Sequence, residues 1–383
     1  MRIVHVITRM IVGGAQENTL LTCQGLARTH GDDVLLITGP SLGPEGMLLD
    51  EEQSHGFEVV EIPQLRRAIN PVRDASSYFA IKRTLREFRA DVVHTHSAKG
   101  GILGRMAASA IRVPAIVHTV HGAPFHPFQN WLPRTLSRWC EKYAAPKCHA
   151  VVSVADAMTD LMVDGRVAPR EKFTTVYSGM DVAPFVAAND LRTTTRDELG
   201  LPPESVVIGK IARLFHLKGH EYLIEAASRV IAENANVCFL FVGDGILREQ
   251  FESRIRDAGM ANHFHFTGLV RPERIPSLIG AMDVLVHTSL REGLARALPQ
   301  ALIAGKPVVS YDVDGAREVA IPNHTGYLLP PKSVEPLADA LIELAGDDKL
   351  RERLGRTGRE RFTHQFRHET MTQQLREIYE RLL

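Results

Sequence analysis

The chain has 383 residues, 44% of them hydrophobic and 23% charged, which suits about two or three domains with sizeable cores and excludes a disordered or collagen-like protein. Forty-five Lys and Arg balance forty-five Asp and Glu, so no global charge draws the chain to nucleic acid. Four cysteines without C-x-x-C spacing, a start without signal-peptide layout and no run of about 18 apolar residues predict a reduced, cytoplasmic protein that meets a membrane only from its surface.

In chain order, Arg2–Thr8 reads as a buried strand broken by Gly13-Gly14. Ala15–Thr29 reads as a helix, with Leu20, Cys23, Leu26 and Ala27 at helical spacing and Gly31 just past its end. Strand signals follow at Val34–Thr38, Glu58–Ile62, Asp91–His94, Ala115–Thr119 and Ala150–Val154. Helices fall near Pro71–Phe88, Gly101–Ser109 and Asn130–Ala145. Pro184–Ser205 is polar, carries Thr193-Thr194-Thr195 and Pro202-Pro203, and reads as a linker. The alternation restarts at Val206–Ile211 and runs through Cys238–Val242, His263–Thr267, Val284–Thr288, Pro307–Ser310 and Gly326–Leu329. Asp347–Leu383 is helical, charged and strandless, and is expected to pack back across both halves.

This rhythm predicts two α/β, Rossmann-like domains in tandem, each a parallel sheet covered by helices. The boundaries fall at 1–185, joined by a C-terminal helix of about 365–383, and at 186–364. Ligands of such sheets bind beyond the carboxyl ends of the strands, so the chemistry is expected at strand-end loops of both halves, facing a central cleft.

Three features sit at such ends. Gly13-Gly14, between a strand and a helix, lets backbone approach a phosphate or simply makes a tight turn; the full G-x-G-x-x-G dinucleotide pattern is absent. Arg213 and Lys218-Gly219 follow the strand that opens the second half. Two cations on a strand-to-helix loop suit a diphosphate, the plainer reading being solvated surface charges. Glu292 lies on the loop before a helix whose first turn holds Pro299 and Gln300; a carboxylate and an amide there can bind sugar or ribose hydroxyls.

The order of these motifs resembles the retaining glycosyltransferases of GT-B fold, in particular glycosyltransferase family 4, and within it the bacterial capsule and exopolysaccharide enzymes. The resemblance is carried by Gly13-Gly14, Val92–Arg105, Thr119-Val120-His121-Gly122, Ala212-Arg213-Leu214 with Lys218-Gly219, and Val242-Gly243-Asp244-Gly245. It continues with Glu292-Gly293-Leu294 and Gln300, and with Asp314-Gly315-Ala316-Arg317-Glu318. It implies that Arg213 and Lys218 bind the diphosphate of a nucleotide-sugar donor, UDP-linked, and that Glu292 contacts the donor sugar. It further implies that His121 lies near the reacting sugar, that Gly14 approaches the phosphates, and that Val270 presents backbone to the nucleobase. Gly243, Gly293, Leu294 and Gln300 complete the donor side; His96, Lys99 and His121 form the acceptor side. The family pattern has a second glutamate where this chain has Gln300, so altered or weaker nucleotide binding is expected. The acceptor implied is a polyprenyl-diphosphate-linked saccharide or another oligosaccharide.

His94, His96, His118 and His121 lie near two strand ends, and hydrogen bonding in the cleft is favoured over zinc ligation or a purely structural role. No metal or cofactor is expected, in keeping with the resemblance. Between Lys82 and Lys147 eleven Lys or Arg face three acids. Within the basic, aromatic segment 124–149, Leu132, Leu136, Trp139 and Tyr143 form a stripe beside Arg134, Arg138 and Lys142. The favoured expectation is a stripe buried on the first sheet; the other is a face for an anionic membrane, placing the protein at the inner surface of the plasma membrane. Rival functions are a nucleotide-sugar epimerase or phosphorylase on the same architecture, or a non-catalytic nucleotide-sugar-binding subunit.

Overall fold

The structure, a computed structural model, describes residues 1–42, 46–49, 55–126 and 128–383, so residue 127 of the basic-aromatic segment lies outside the described residues. The chain divides into two units, Met1–Met180 with Phe366–Leu383, and Asp181–Gln365.

Unit 1 is built on seven parallel strands: β1 (Arg2–Val6), β2 (Asp33–Thr38), β3 (Glu58–Glu61), β4 (Val92–His96), β5 (Ala115–Val120), β6 (Ala150–Ser153) and β7 (Phe173–Thr175). Their order is β3-β2-β1-β4-β5-β6-β7. The central strands are buried on both faces because helices cover both. Local chemistry sets the helix ends. Helix Pro71–Phe88 has proline in its first turn, Asn70 accepts from the Arg73 amide at 3.0 Å, and Arg89 closes it in the left-handed region. The last helix, His368–Leu382, puts Met371, Leu375, Ile378 and Tyr379 into the same core as Ile3, Val34, Val92 and Val117. The helix before it, Asp348–Phe362, packs in unit 2. There Gly355 and Gly358 let it lie against Gly305 and Leu302, with no room for a Cβ.

Unit 2 has six parallel strands: β8 (Val206–Ile211), β9 (Val237–Val242), β10 (Phe264–Gly268), β11 (Val284–His287), β12 (Val308–Tyr311) and β13 (Gly326–Leu329). Their order is β10-β9-β8-β11-β12-β13. Its core joins Phe239, Phe241, Val284 and Val309 to Leu337, Leu341 and Leu344 of helix Val334–Gly346.

Two expectations are overturned. The segment read as a linker is helical at Ala183–Val186, Ala188–Leu191 and Arg192–Leu199, and belongs to unit 2. Two of its arginines are tied into unit 2. Arg196 is buried, donating to the carbonyls of Ala281, Pro203 and Ser205 at 2.7–3.0 Å and to Asp283 at 2.7 Å, while Arg192 takes the other oxygen of Asp283. The second correction concerns helix Trp131–Ala144, whose apolar stripe is not buried on the sheet. Trp131 is 76% exposed and Trp139 69%, with Leu132, Leu136 and Tyr143 also exposed. The inward side is set by Arg105, which is buried and bonded to Glu141 at 2.8 Å; seating Glu141 and Ala144 inward turns the opposite, apolar face outward.

Candidate functional site

In unit 2 the strand order reverses between β8 and β11, so the loops leaving these two strands flank the point where such sheets hold ligands. Arg213, Lys218 and Gly219 lie on the loop after β8; Glu292, Gly293 and Leu294 lie on the loop after β11. The loops touch: the Lys218 ammonium donates to the Glu292 carboxylate. Burial alone would raise the Glu292 carboxyl, but the adjacent Lys218 charge and its hydrogen bond outweigh that and hold it below the usual carboxylate value. His287 Nε2 stands 3.7 Å from the same carboxylate oxygen, and burial keeps that imidazole neutral by pulling it to about 3.

Several groups fix this geometry. The Glu292 amide donates to Asp314 Oδ2 at 2.7 Å and the Gly315 amide to the Gly293 carbonyl at 2.9 Å, which ties the β11 loop to the loop after β12. Gly219 has φ of +68°, and a Cβ there would stand 1.9 Å from the Thr288 carbonyl oxygen, so only glycine lets the Lys218 turn close on β11. Beneath it, buried Lys210 donates to Thr288 Oγ1 at 2.9 Å, and that hydroxyl donates to the Gly219 carbonyl at 2.6 Å. Burial, then the Lys218 charge, pull Lys210 down to about 7. Gly243, at φ of +134°, lets the end of β9 press on the Ala212 carbonyl beside Arg213. Val270 is half-buried just beyond β10, and Gln300 half-buried in helix Ala297–Ile303.

Unit 1 has the same reversal between β1 and β4. Gly14 opens helix Gly14–Arg28 after β1, with Gly13 capping through its carbonyl and no side-chain cap on the first amides. His96 ends β4 and Lys99 lies in the first turn of helix Ala98–Ala110. Lys99 is bound to Asp74 Oδ1 at 2.7 Å and to the Ala68 carbonyl. It lines a cavity of about 730 Å³ together with Arg9, Arg67, Ser97, Leu136 and Glu141.

The histidines divide into two kinds. His94 and His118 are core residues rather than cleft donors. His94 is bonded to the Tyr379 hydroxyl and to Thr119 Oγ1 at 2.6 Å, and His118 to Thr95 Oγ1 at 3.0 Å. His96 is also buried but bonds His121, which is half-buried after β5. His5, His94 and His96 form a group of three imidazoles within 4.8 Å among the described residues. Both nitrogens of His94 and of His96 are hydrogen-bonded, those of His96 to His5 and His121.

Sequence reading missed His5, Lys210, His287 and the role of Asp314. Their only signal is a polar side chain inside an otherwise apolar strand, or a motif acid with no visible partner.

Residues 12–183 match the family described as Glycosyltransferase Family 4, and residues 192–361 match Glycosyl transferases group 1. The UDP-Gal:alpha-D-GlcNAc-diphosphoundecaprenol alpha-1,3-galactosyltransferase of Escherichia coli is 27% identical over 99% of this chain and 96% of its own. The alpha-D-kanosaminyltransferase of Streptomyces kanamyceticus is 28% identical over 71% of this chain and 72% of its own. Among solved structures, Anabaena Alr3699/HepE in complex with UDP superposes with a TM-score of 0.82 at 20% identity, covering 100% of both chains. With the two family matches spanning most of the chain and both sheets folded as the GT-B architecture requires, this chain belongs to the family-4 glycosyltransferases of GT-B fold.

Proposed function

We propose that this glycosyltransferase moves a sugar from a UDP-linked donor to a hydroxyl of a polyprenyl-diphosphate-linked saccharide, with retention, in capsule- or exopolysaccharide-type surface polysaccharide assembly. The observation that carries the reading is the contact of Lys218 with Glu292 across the β8 and β11 loops, with Arg213 on the same loop as Lys218. The lipid-linked acceptor named for the E. coli relative and the UDP bound by HepE support the substrate classes.

The bond from the anomeric carbon to the diphosphate oxygen breaks, and its electron pair stays on the diphosphate. Arg213 and Lys218 stabilise that charge, an electrostatic contribution that grows toward the transition state. In taking the diphosphate, Lys218 releases Glu292, whose carboxylate then meets the sugar hydroxyls. The acceptor oxygen attacks from the face the leaving group vacates, and its proton passes to the departing phosphate. Gly14 lets backbone approach the phosphates, Gly243, Gly293 and Leu294 shape the donor pocket, Val270 meets the nucleobase, and Gln300 meets the ribose. His121, His96 and Lys99 form the acceptor side, no metal takes part, and no nucleic acid is a partner.

Among the described residues no helix is long and apolar enough to cross a membrane. Helix Trp131–Ala144 instead rests on the anionic inner surface of the plasma membrane, its two exposed tryptophans inserting while Arg134, Arg138 and Lys142 meet lipid phosphates. Leu136 belongs both to this face and to the 730 Å³ cavity, so a lipid-borne acceptor reaches the cavity from the membrane side.

The test is a panel of α-configured UDP-sugars with polyprenyl-diphosphate GlcNAc, followed by NMR of the product. An α linkage and UDP release that depends on the acceptor are expected. A β linkage, or UDP release indifferent to the acceptor, contradicts the proposal.

A further inference from the structure

Three imidazoles stand in single file in unit 1. His5 Nδ1 lies 2.9 Å from His96 Nε2, and His96 Nδ1 lies 3.0 Å from His121 Nε2. The planes of successive rings differ by only 13° and 28°. His5 in β1 and His96 in β4 are fully buried, and His121 is at the outer end after β5. His94 packs on His96 at 4.3 Å but is a side branch, since its nitrogens bond Tyr379 and Thr119.

A neutral imidazole has one N–H and one lone pair. In a file of three, each contact needs one donor and one acceptor, so the tautomer of any ring dictates the other two. Neither buried ring escapes by taking a second proton: burial pulls His5 to about 3, and burial with the neighbouring imidazoles pulls His96 well below its ordinary value. The register is therefore decided at the ends.

The inner end is His5 Nε2, buried and without a hydrogen-bond partner among the described residues. It holds either a stranded N–H or a stranded lone pair, and the stranded N–H is the rarer state in protein interiors. We infer that the file is polarised outward: His5 Nδ1–H donates to His96 Nε2, His96 Nδ1–H donates to His121 Nε2, and His121 presents Nδ1–H as a donor to an oxygen of the transferred sugar. Any partner of His121 Nδ1 is then an acceptor. His5 and His96 are positioning residues that act through His121, and His121 has no outward lone pair with which to serve as a base. That assignment leaves the acceptor's proton to the departing phosphate. It rests on the reading above that His121 faces the reacting sugar.

The test uses the full chain with ¹⁵N-labelled histidine. Two-bond ¹H–¹⁵N correlations distinguish the tautomers, and resonances are assigned through His5→Asn, His96→Gln and His121→Asn. All three rings are expected as Nδ1–H; His121 as Nε2–H overturns the inference. This arm needs no substrate, so a wrong donor or acceptor assignment leaves it decided. A kinetic arm compares two variants at His5. His5→Asn keeps an N–H in the place of Nδ1 and is expected to stay within about threefold of wild type. His5→Leu is expected to lower kcat by about tenfold at unchanged donor KM, the size of one hydrogen bond made in the transition state, with mixed tautomers at His121. Equal activity of the two variants, or loss in His5→Leu while His121 keeps a single Nδ1–H form, overturns the positioning role.

Discussion

The contact of Lys218 with Glu292 joins the loop after β8 to the loop after β11 and sets a carboxylate against the ammonium. On the function proposed above, a diphosphate competes with that carboxylate for the ammonium, and the carboxylate then meets the sugar. Glu292→Gln separates the two roles. Turnover is expected to fall by roughly a hundredfold, while UDP itself binds as well or better because Lys218 is no longer occupied; weaker UDP binding, measured by calorimetry, contradicts this. Gln300→Glu is expected to tighten UDP about fivefold by adding a charge-assisted bond to the ribose. No change in UDP affinity removes Gln300 from the ribose contact. The meeting of the Lys218 and Glu292 loops was legible because both sit at strand ends in a fixed order of motifs. His5 was not: its partner lies 91 positions away, and an isolated strand histidine reads as a core filler.

At the scale of elements, periodicity located four helices of unit 1 and every strand but β7, since apolar spacing is a local property; the helices of unit 2 were expected between its strands without bounds. What it could not reveal was which partner a charge or a stripe would meet. The short edge strand β7, Phe-Thr-Thr, and helix Asp156–Asp164 carry too little pattern to stand out. The polar run around Arg196 looked like a linker because its counter-charge, Asp283, is 87 residues on. Arg196→Ala is expected to destabilise unit 2 by about 3 kcal/mol, the cost of breaking a buried pair, with Arg192 still on Asp283. Denaturant titration measures this, and a loss below 1 kcal/mol sinks the idea. The stripe of helix Trp131–Ala144 was visible, but the side facing the sheet was decided by Arg105 and Glu141. Replacing Trp131 and Trp139 with Ser and Arg134 with Glu is expected to abolish flotation with phosphatidylglycerol vesicles while leaving the melting midpoint within about 2 °C. A wild-type chain that fails to float with those vesicles contradicts the membrane face.

For the molecule as a whole, buried neutral histidines set the response to acid. His5 and His287 are pulled to about 3 and His220 to about 2, in each case first by burial; His94, His96 and His118 are lowered the same way. Above the ordinary imidazole value of 6.5 these rings are neutral in both folded and unfolded chains. As pH falls below it, the unfolded chain binds protons the folded one refuses, so stability drops, by at most about 1.4 kcal/mol per pH unit per ring. The denaturation midpoint is expected to fall steeply between pH 7 and pH 5, and an unchanged midpoint contradicts the buried neutral cluster. The central claim, a cation pair in unit 2 that grips the donor's diphosphate, is tested most directly by titrating UDP into wild type, Arg213→Ala and Lys218→Ala in a calorimeter. Each substitution is predicted to weaken UDP by at least about tenfold, the contribution of one charge-assisted hydrogen bond. Wild-type affinity in both variants would place the diphosphate elsewhere.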